Sequence, residues 1–248
     1  MAVSAPTVIE DSAGFGTSIS TFSFTPAANS ILVAFIVARG SSAGIPTSIS
    51  DSLGGTWTAL SAGEDAGSAA ARLYVREVVS SASMSVSATV SGGTQSAAVI
   101  LNVTGAGTDF SNFQAIVAAT GTSHTANMAP YAAGSQVVGF VVTNAGQAMP
   151  PPSGFTEIYD LNTALNTRVQ IQHASGATAP TAITWTTSNA ATVAYGLEIK
   201  EPSSTPPSGS STTKVWIGGA WHPSTVKVFI GGSWVTKPLK SRKSGNWY

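Results

Sequence analysis

Short β-prone runs, broken at regular intervals by turn residues, are the feature that most constrains this fold. Runs rich in Val, Ile, Thr and aromatic residues recur along residues 1–201, and clusters of Gly, Pro, Asn and Ser separate them every 8 to 12 residues. Residues 85–90, Ser-Val-Ser-Ala-Thr-Val, alternate polar and apolar side chains. No stretch of ten or more residues has the period of an amphipathic helix. The pattern therefore predicts an all-β protein.

An internal repeat divides this region into two similar halves, 1–105 and 106–201. Shifted by 105 residues, 16–37 aligns without gaps to 121–142 with nine identities in 22 positions. Later elements follow in the same order with slipped spacing, such as RLYVREVV with TRVQIQHA. Each half predicts about seven strands, which in the first half lie near 20–25, 31–38, 47–51, 56–60, 72–79, 85–90 and 97–104.

Two architectures fit these halves. They form either tandem seven-stranded sandwiches or one jelly-roll-like β-sandwich of about 200 residues. We favour the single sandwich, because the connection at 105–121 contains Phe110, Phe113 and Ile116 and lacks the composition of a linker. The expected body is therefore one jelly-roll-like sandwich over residues 1–201.

A linker and a repetitive tail follow the body. Residues 202–213, PSSTPPSGSSTT, have the composition of an extended linker. From residue 214 the chain repeats every 13 residues, as KVWIGGAWHPSTV, KVFIGGSWVTKPL and a shorter KSRKSGNWY. A Gly-Gly pair between β-prone runs predicts a two-residue hairpin turn. Residues 214–248 are therefore expected to form a ribbon of β-hairpins.

Each predicted hairpin carries one cross-strand pair that includes a tryptophan. Counting outward from the two-residue turns places Trp216 opposite Trp221, Phe229 opposite Trp234, and Arg242 opposite Trp247. Such pairs contribute roughly 0.2 to 1 kcal/mol each, and an isolated hairpin is marginally stable in water. The hairpins therefore need a partner surface. We expect these six residues to contact a protein or a glycan, because aromatic rings serve both.

The net charge of zero hides an asymmetry between body and tail. Residues 1–213 carry five basic and 11 acidic groups (5 − 11 = −6), while the last 35 residues carry six basic groups and no acidic one (+6). The basic tail either docks on an acidic partner or uses exposed lysines to keep edge strands from aggregating, which is the commoner use. Six charges spread over a ribbon make a thin patch for nucleic acid, which is not an expected partner.

Chemistry for catalysis is sparse. The chain has no cysteine and neither a Gly-x-Ser-x-Gly motif nor a P-loop. Its histidines lie about 50 residues apart without metal-ligand spacing, at His124, His173 and His222. Asp51 is expected to cap a turn, and Glu64 with Asp65 to form either a solvated turn or a calcium-ligand pair. We therefore expect no enzyme activity, no cofactor and no metal site.

The apolar segments are expected to build a core and not to enter a membrane. The first residues, MAVSAPTVIEDSAGFG, lack the basic and apolar regions of a secretory signal. The longest apolar run, Ile31–Ala38, is too short to span a bilayer. Trp57 and Trp185 fit strand patterns, and we expect both in the sandwich core.

Two sets of motifs resemble those of a known class of proteins. The units KVWIGGAWHPS and KVFIGGSWVTKP are similar to the short repeats that end many minor tail and other accessory virion proteins of tailed bacteriophages. In order, NSILVAFIVARG, GGTWTAL, SVSATV and AAVILNVTGA resemble the elements of a β-sandwich domain common in phage tail-associated proteins. The third unit departs from the pattern, with Ser241-Arg242-Lys243 in place of Val-aromatic-Ile.

The resemblance implies a structural role in a virion that is assembled in the host cytoplasm. We expect a homo-oligomer, most simply a minor tail protein, whose hairpins anchor it to another virion protein or contact the host surface. The alternatives are a carbohydrate-binding module or adhesin that stacks cell-surface sugars on the tail tryptophans, and a capsid decoration protein or head fibre.

Overall fold

The structure is a computed structural model that describes residues 2–40, 43–162 and 167–202, and the backbone of six short strands between 213 and 247. The chain divides into two compact units, Met1–Ser203 and Ser204–Tyr248. Every regular element in the described residues is a β-strand, so the predicted all-β class is confirmed. These residues contain no helix of the length and apolarity needed to cross a membrane. Most of the predicted linker, 203–212, lies outside them.

The first half of the body forms two antiparallel sheets. Its strands are β1 (Thr7–Phe15), β2 (Ser18–Ser20), β3 (Ser30–Arg39), β4 (Pro46–Asp51), β5 (Thr58–Ala59), β6 (Glu64–Asp65), β7 (Ala69–Val78), β8 (Val86–Val90) and β9 (Gln95–Thr104). The first large sheet has the order β1-β9-β3-β7-β5, with β6 also paired to β7. The first small sheet has the order β2-β8-β4.

The second half repeats this plan. Its strands are β10 (Phe113–Ala118), β11 (Ser123–Asn127), β12 (Gln136–Thr143), β13 (Thr156–Asn162), β14 (Arg168–Ser175), β15 (Ala182–Thr186) and β16 (Thr192–Ile199). The second large sheet has the order β10-β16-β12-β14-β13, and the second small sheet pairs β11 with β15. Where β4 lies in the first half, the second half has a connection containing Pro150–Pro152, and proline has no N–H to donate to a sheet.

The four sheets of the body stack as layers, with the two large sheets in the middle. Three hydrophobic clusters fill the gaps between successive layers. The large sheets are therefore covered on both faces, and β3 is buried along almost its whole length as one continuous apolar run. The small sheets have one exposed face, so β8 alternates buried and exposed residues.

The two halves meet through repeat-related residues of the large sheets. The rings of Phe35 and Phe140, which the 105-residue shift aligns, pack with their centroids 5.4 Å apart. The side chain of Arg39 donates to Oδ1 of its repeat partner Asn144 at 2.7 Å. Tyr195 donates from its hydroxyl to the Ala71 carbonyl at 2.7 Å, and burial raises the pKa of this phenol. The interface is thus a continuous core with hydrogen bonds across it.

This arrangement combines features of both expected architectures. Each half keeps its own pair of sheets, as in the tandem alternative, while the apolar outer faces of the large sheets bury one another in a third core. The prediction of a β-sandwich is confirmed. The prediction that the two halves form one jelly roll is not confirmed. The reason is that strands such as β3 and β12 are apolar on both faces, so each large sheet needs a cover on each side.

The described tail strands form three separate two-stranded sheets. They are β17 (Thr213–Ile217) with β18 (Ala220–Ser224), β19 (Lys227–Ile230) with β20 (Ser233–Thr236), and β21 (Arg242–Lys243) with β22 (Asn246–Trp247).

Candidate functional site

The tail hairpins pair in the register that their spacing predicts. The directly opposite residues are Trp216 and Trp221, Phe229 and Trp234, and Arg242 and Trp247. The predicted turn residues, Gly218 and Gly219 among them, lie outside the described residues. Register thus brings the six candidate contact residues together two by two, one pair in each hairpin. Their role in contacting a partner stays a prediction.

Asp51 shapes the surface of the first half. Its carboxylate, at the last residue of β4, accepts hydrogen bonds from the backbone N–H of Leu53 at 2.9 Å and of Gly55 at 3.2 Å. It also accepts from the indole N–H of Trp57 at 2.8 Å and pairs with Arg76 at 2.6 Å. The Asp51 side chain has 0% exposure, so the ion pair is shielded from water. The predicted turn-capping role is confirmed, and it extends to positioning a charged side chain.

The positioned Arg76 lines a cleft of about 380 Å³. Thr56, Thr58, Glu77 and Phe110 are also among the lining residues. A Cβ on Gly55 would lie 2.1 Å from Cζ of Arg76, so this position must be glycine for the guanidinium to lie here. An aromatic ring beside hydroxyl and charged groups is a lining that suits a sugar or another small polar ligand.

A second concave surface, a groove of about 530 Å³, lies at the start of β10 and the end of β16. Glu198 of β16 is buried, and its two carboxylate oxygens accept from the Asn112 side chain at 2.8 Å and the Ala132 N–H at 2.7 Å. Asn112 also exchanges hydrogen bonds with the backbone of Ala129 at 3.1 Å. Glu198 therefore ties a loop to the sheet, because both of its oxygens are already engaged.

The electrostatics beside this groove come from a small polar network. Lys200 donates to Asp109 at 2.8 Å and to the Ser111 hydroxyl at 2.9 Å. Hydrogen bonds from Lys200 and Ser111 lower the pKa of Asp109 to about 2. Burial, with the negative charge of Glu198, raises the pKa of Tyr131 to about 12. Both groups therefore keep one protonation state near neutral pH, and neither is suited to acid–base catalysis there.

The body histidines serve packing. His124 is buried against the Thr187 hydroxyl at 3.1 Å, and burial lowers the pKa of its imidazole. Burial likewise lowers the pKa of His173, which lies 3.4 Å from the Gln136 side chain. Among the described residues no three His, Asp or Glu side chains are placed to hold a metal ion. The side chain of His222 lies outside that description.

The remaining predicted residues take structural positions. Glu64 and Asp65 form the short strand β6, and Asp65 accepts from the Gly67 N–H at 2.7 Å, which closes a turn. Trp185 is fully buried in the second small sheet, as expected. Trp57 is only half-buried, so its expected place in the core is only partly right, and its indole N–H donates to Asp51 at 2.8 Å.

Sequence reasoning missed the cleft and the groove. Arg76 and Glu198 lie in ordinary strand patterns, and no motif marks them. Comparison of the chain with protein-family models, with curated proteins and with solved structures finds no match. The candidate sites therefore depend on geometry and chemistry alone.

Proposed function

We propose that this chain is a structural component of a tailed-bacteriophage virion, most simply a minor tail protein that acts by binding. The observation that carries the proposal is the tail, in which a hairpin with a tryptophan-containing cross-strand pair recurs three times at matching register. The same units resemble the terminal repeats of phage minor tail and accessory proteins.

The hairpins are suited to docking because they are weak alone. A two-stranded hairpin is marginally stable in water, and each aromatic pair adds only roughly 0.2 to 1 kcal/mol. The last 35 residues also carry six basic groups and no acidic one. An acidic groove on a neighbouring virion protein or on the host surface supplies what the ribbon lacks. Several copies in a symmetric particle add avidity to each weak contact.

The body supports a role in assembly. It consists of four layered sheets, and the carboxylates of Asp51 and Glu198 both hold neighbouring backbone in place. The proposal therefore includes no catalytic step and no cofactor, with assembly into particles in the host cytoplasm. The alternative within the same structural role is a capsid decoration protein or a head fibre, which would occupy the head of the particle and not its tail.

The cleft beside Arg76 favours a second candidate, a carbohydrate-binding module or adhesin. Its lining of Phe110, Thr56, Thr58 and Glu77 offers a ring and polar groups to a sugar. This candidate expects binding of the full chain to a glycan array. If Phe110→Ala abolishes glycan binding, the sugar lies in the cleft. If Trp221→Ala abolishes glycan binding and Trp221→Phe retains it, the sugar lies on the tail.

Deletion of residues 214–248 tests the primary proposal. We expect the shortened chain to be absent from purified particles, because the tail supplies the anchor. Deletion of 240–248 alone keeps two of the three hairpins, so it is expected to reduce incorporation less than the full deletion does. Incorporation with loss of adsorption to cells instead assigns the tail to the host surface. Normal incorporation and normal adsorption contradict the proposed role of the tail.

A further inference from the structure

Strand β10 is an edge of the second large sheet with none of the usual protection against pairing. Its sequence, FQAIVA, has no charged residue, no proline and no glycine, and its ladder to β16 is regular. Exposed edges of this kind are templates for another strand, and natural proteins blunt them with charges, prolines and bulges.

The first half shows how this chain blunts the equivalent edge. Val99 of β9 and Tyr195 of β16 are equivalent, because they lie opposite the repeat-related residues Phe35 and Phe140. Asp11 of β1 lies opposite Val99, and Ala115 of β10 lies opposite Tyr195, so Asp11 and Ala115 occupy equivalent positions on the two edges. The same alignment places Glu10 at the position of Gln114. Strand β1 thus carries two acidic residues, and it also has a bulge between Val8 and Glu10. Strand β10 has neutral residues and a regular ladder at the same positions.

The ladder fixes which backbone groups of β10 face outward. The backbone N–H of Glu198 donates to the carbonyl of Asn112 at 3.0 Å. Alternate residues of the strand, starting with 112, therefore form backbone hydrogen bonds with β16. The N–H and C=O groups of Phe113, Ala115 and Val117 therefore face away from the sheet. Among the described residues no backbone hydrogen bond other than the β16 ladder reaches β10. Val117 is 45% exposed.

The neighbouring layers end at the same side of the body. The strands near β10 in the adjoining layers are β6 and β11. Each of these is itself at an edge of its sheet. A two-fold axis perpendicular to the second large sheet would place β10 opposite β10, with β6 and β11 of both copies in the adjoining layers. Phe113 is held in place by stacking on Tyr195, with ring centroids 5.5 Å apart.

We propose that β10 is the contact between two copies of this chain, which pair antiparallel edge to edge. With Ala115 on the axis, Phe113 of one copy lies opposite Val117 of the other, and the two second large sheets become one continuous sheet. Charge selects this edge. The full chain has no net charge, but its residues 1–213 carry a net charge of −6 (5 − 11), so contact between two bodies favours a strand without acidic residues. Self-pairing at β1 would place Glu10 and Asp11 within the paired strands, whereas β10 itself carries no charge. The acidic residues of the adjoining layer, Glu64 and Asp65, lie on β6 and not on the paired strands. This contact is independent of the virion assignment.

Sedimentation velocity of the full chain over a concentration range tests the contact. We expect a concentration-dependent dimer that Ala115→Pro weakens at least about tenfold in Kd, because proline removes an outward N–H that β16 does not use. Ala13→Pro is the matched control, since Ala13 is an outward-facing residue of β1 by the same alternation. Its dimer constant should equal that of the unchanged chain.

Val117→Lys provides a second variant that keeps the backbone and places a charge in the contact. Circular dichroism checks that each variant is folded, and if Ala115→Pro is not, Val117→Lys decides. The proposal is overturned if the full chain stays monomeric up to about 100 µM. It is also overturned if the dimer survives both β10 variants, or if only deletion of 214–248 removes it, which assigns the association to the hairpins.

Discussion

Phe35→Ala is expected to lower the free energy of unfolding of the body by about 3 to 5 kcal/mol, since it deletes a fully buried ring and leaves a cavity. Phe35 has 0% exposure and lies between the two large sheets, with its ring centroid 5.4 Å from that of Phe140 and 6.1 Å from that of Tyr195. Urea denaturation followed by circular dichroism measures the loss.

Phe22→Ala is the control for this prediction. Phe22 is 81% exposed, so its removal should change stability by no more than about 0.5 kcal/mol. Phe140→Ala should resemble Phe35→Ala, because the repeat places both rings in one cluster. A loss below about 1 kcal/mol for Phe35→Ala would mean that the two halves do not share a core.

Asp51→Ala is expected to cost about 3 to 5 kcal/mol, because it leaves the shielded Arg76 guanidinium without its counter-ion. It also removes the acceptor for the N–H groups of Leu53, Gly55 and Trp57. Asp51→Asn should cost less, since the amide oxygen keeps an acceptor. Thermal and urea unfolding of the two variants give the comparison.

The ion pair between Asp109 and Lys200 is the matched control for Asp51. The Asp109 side chain is 58% exposed, so Asp109→Ala should cost less than about 1 kcal/mol. If Asp51→Ala and Asp109→Ala are equally mild, burial of the Asp51 pair does not govern its contribution.

The central strands are predictable from sequence, and the edge strands are not. The apolar runs of β3 and β9 are buried on both faces, so their composition alone marks them. Strands β1 and β10 do not appear in the pattern. In β1, Glu10, Asp11 and Gly14 interrupt the alternation of polar and apolar residues. In β10, the short run lies inside the connection between the halves.

The repeat gives the order of elements more reliably than their alignment. Phe35 lies opposite Leu73, and Phe140 lies opposite Ile171, so Leu73 and Ile171 are equivalent. An ungapped match of RLYVREVV to TRVQIQHA is three residues away from this register. The alanines before Leu73, at 69–71, belong to β7. Strand pairing, which depends on distant residues, decides such details.

The candidate sites divide in the same way. The hairpin registers follow from local spacing, because two residues separate each pair of strands. The capping role of Asp51 is also local. In contrast, Asn112 and Glu198 are 86 residues apart, and Arg76 meets Asp51 through the packing of two sheets. No short motif encodes such contacts, so the groove and the cleft emerge only from the folded body.

Electron microscopy of particles carrying a labelled copy of this chain tests the central claim most directly. The account predicts label on purified virions, concentrated at the tail, and loss of that label when residues 214–248 are deleted. Label on the head would retain the virion role and reassign its position. Absence of the chain from purified particles would contradict the account.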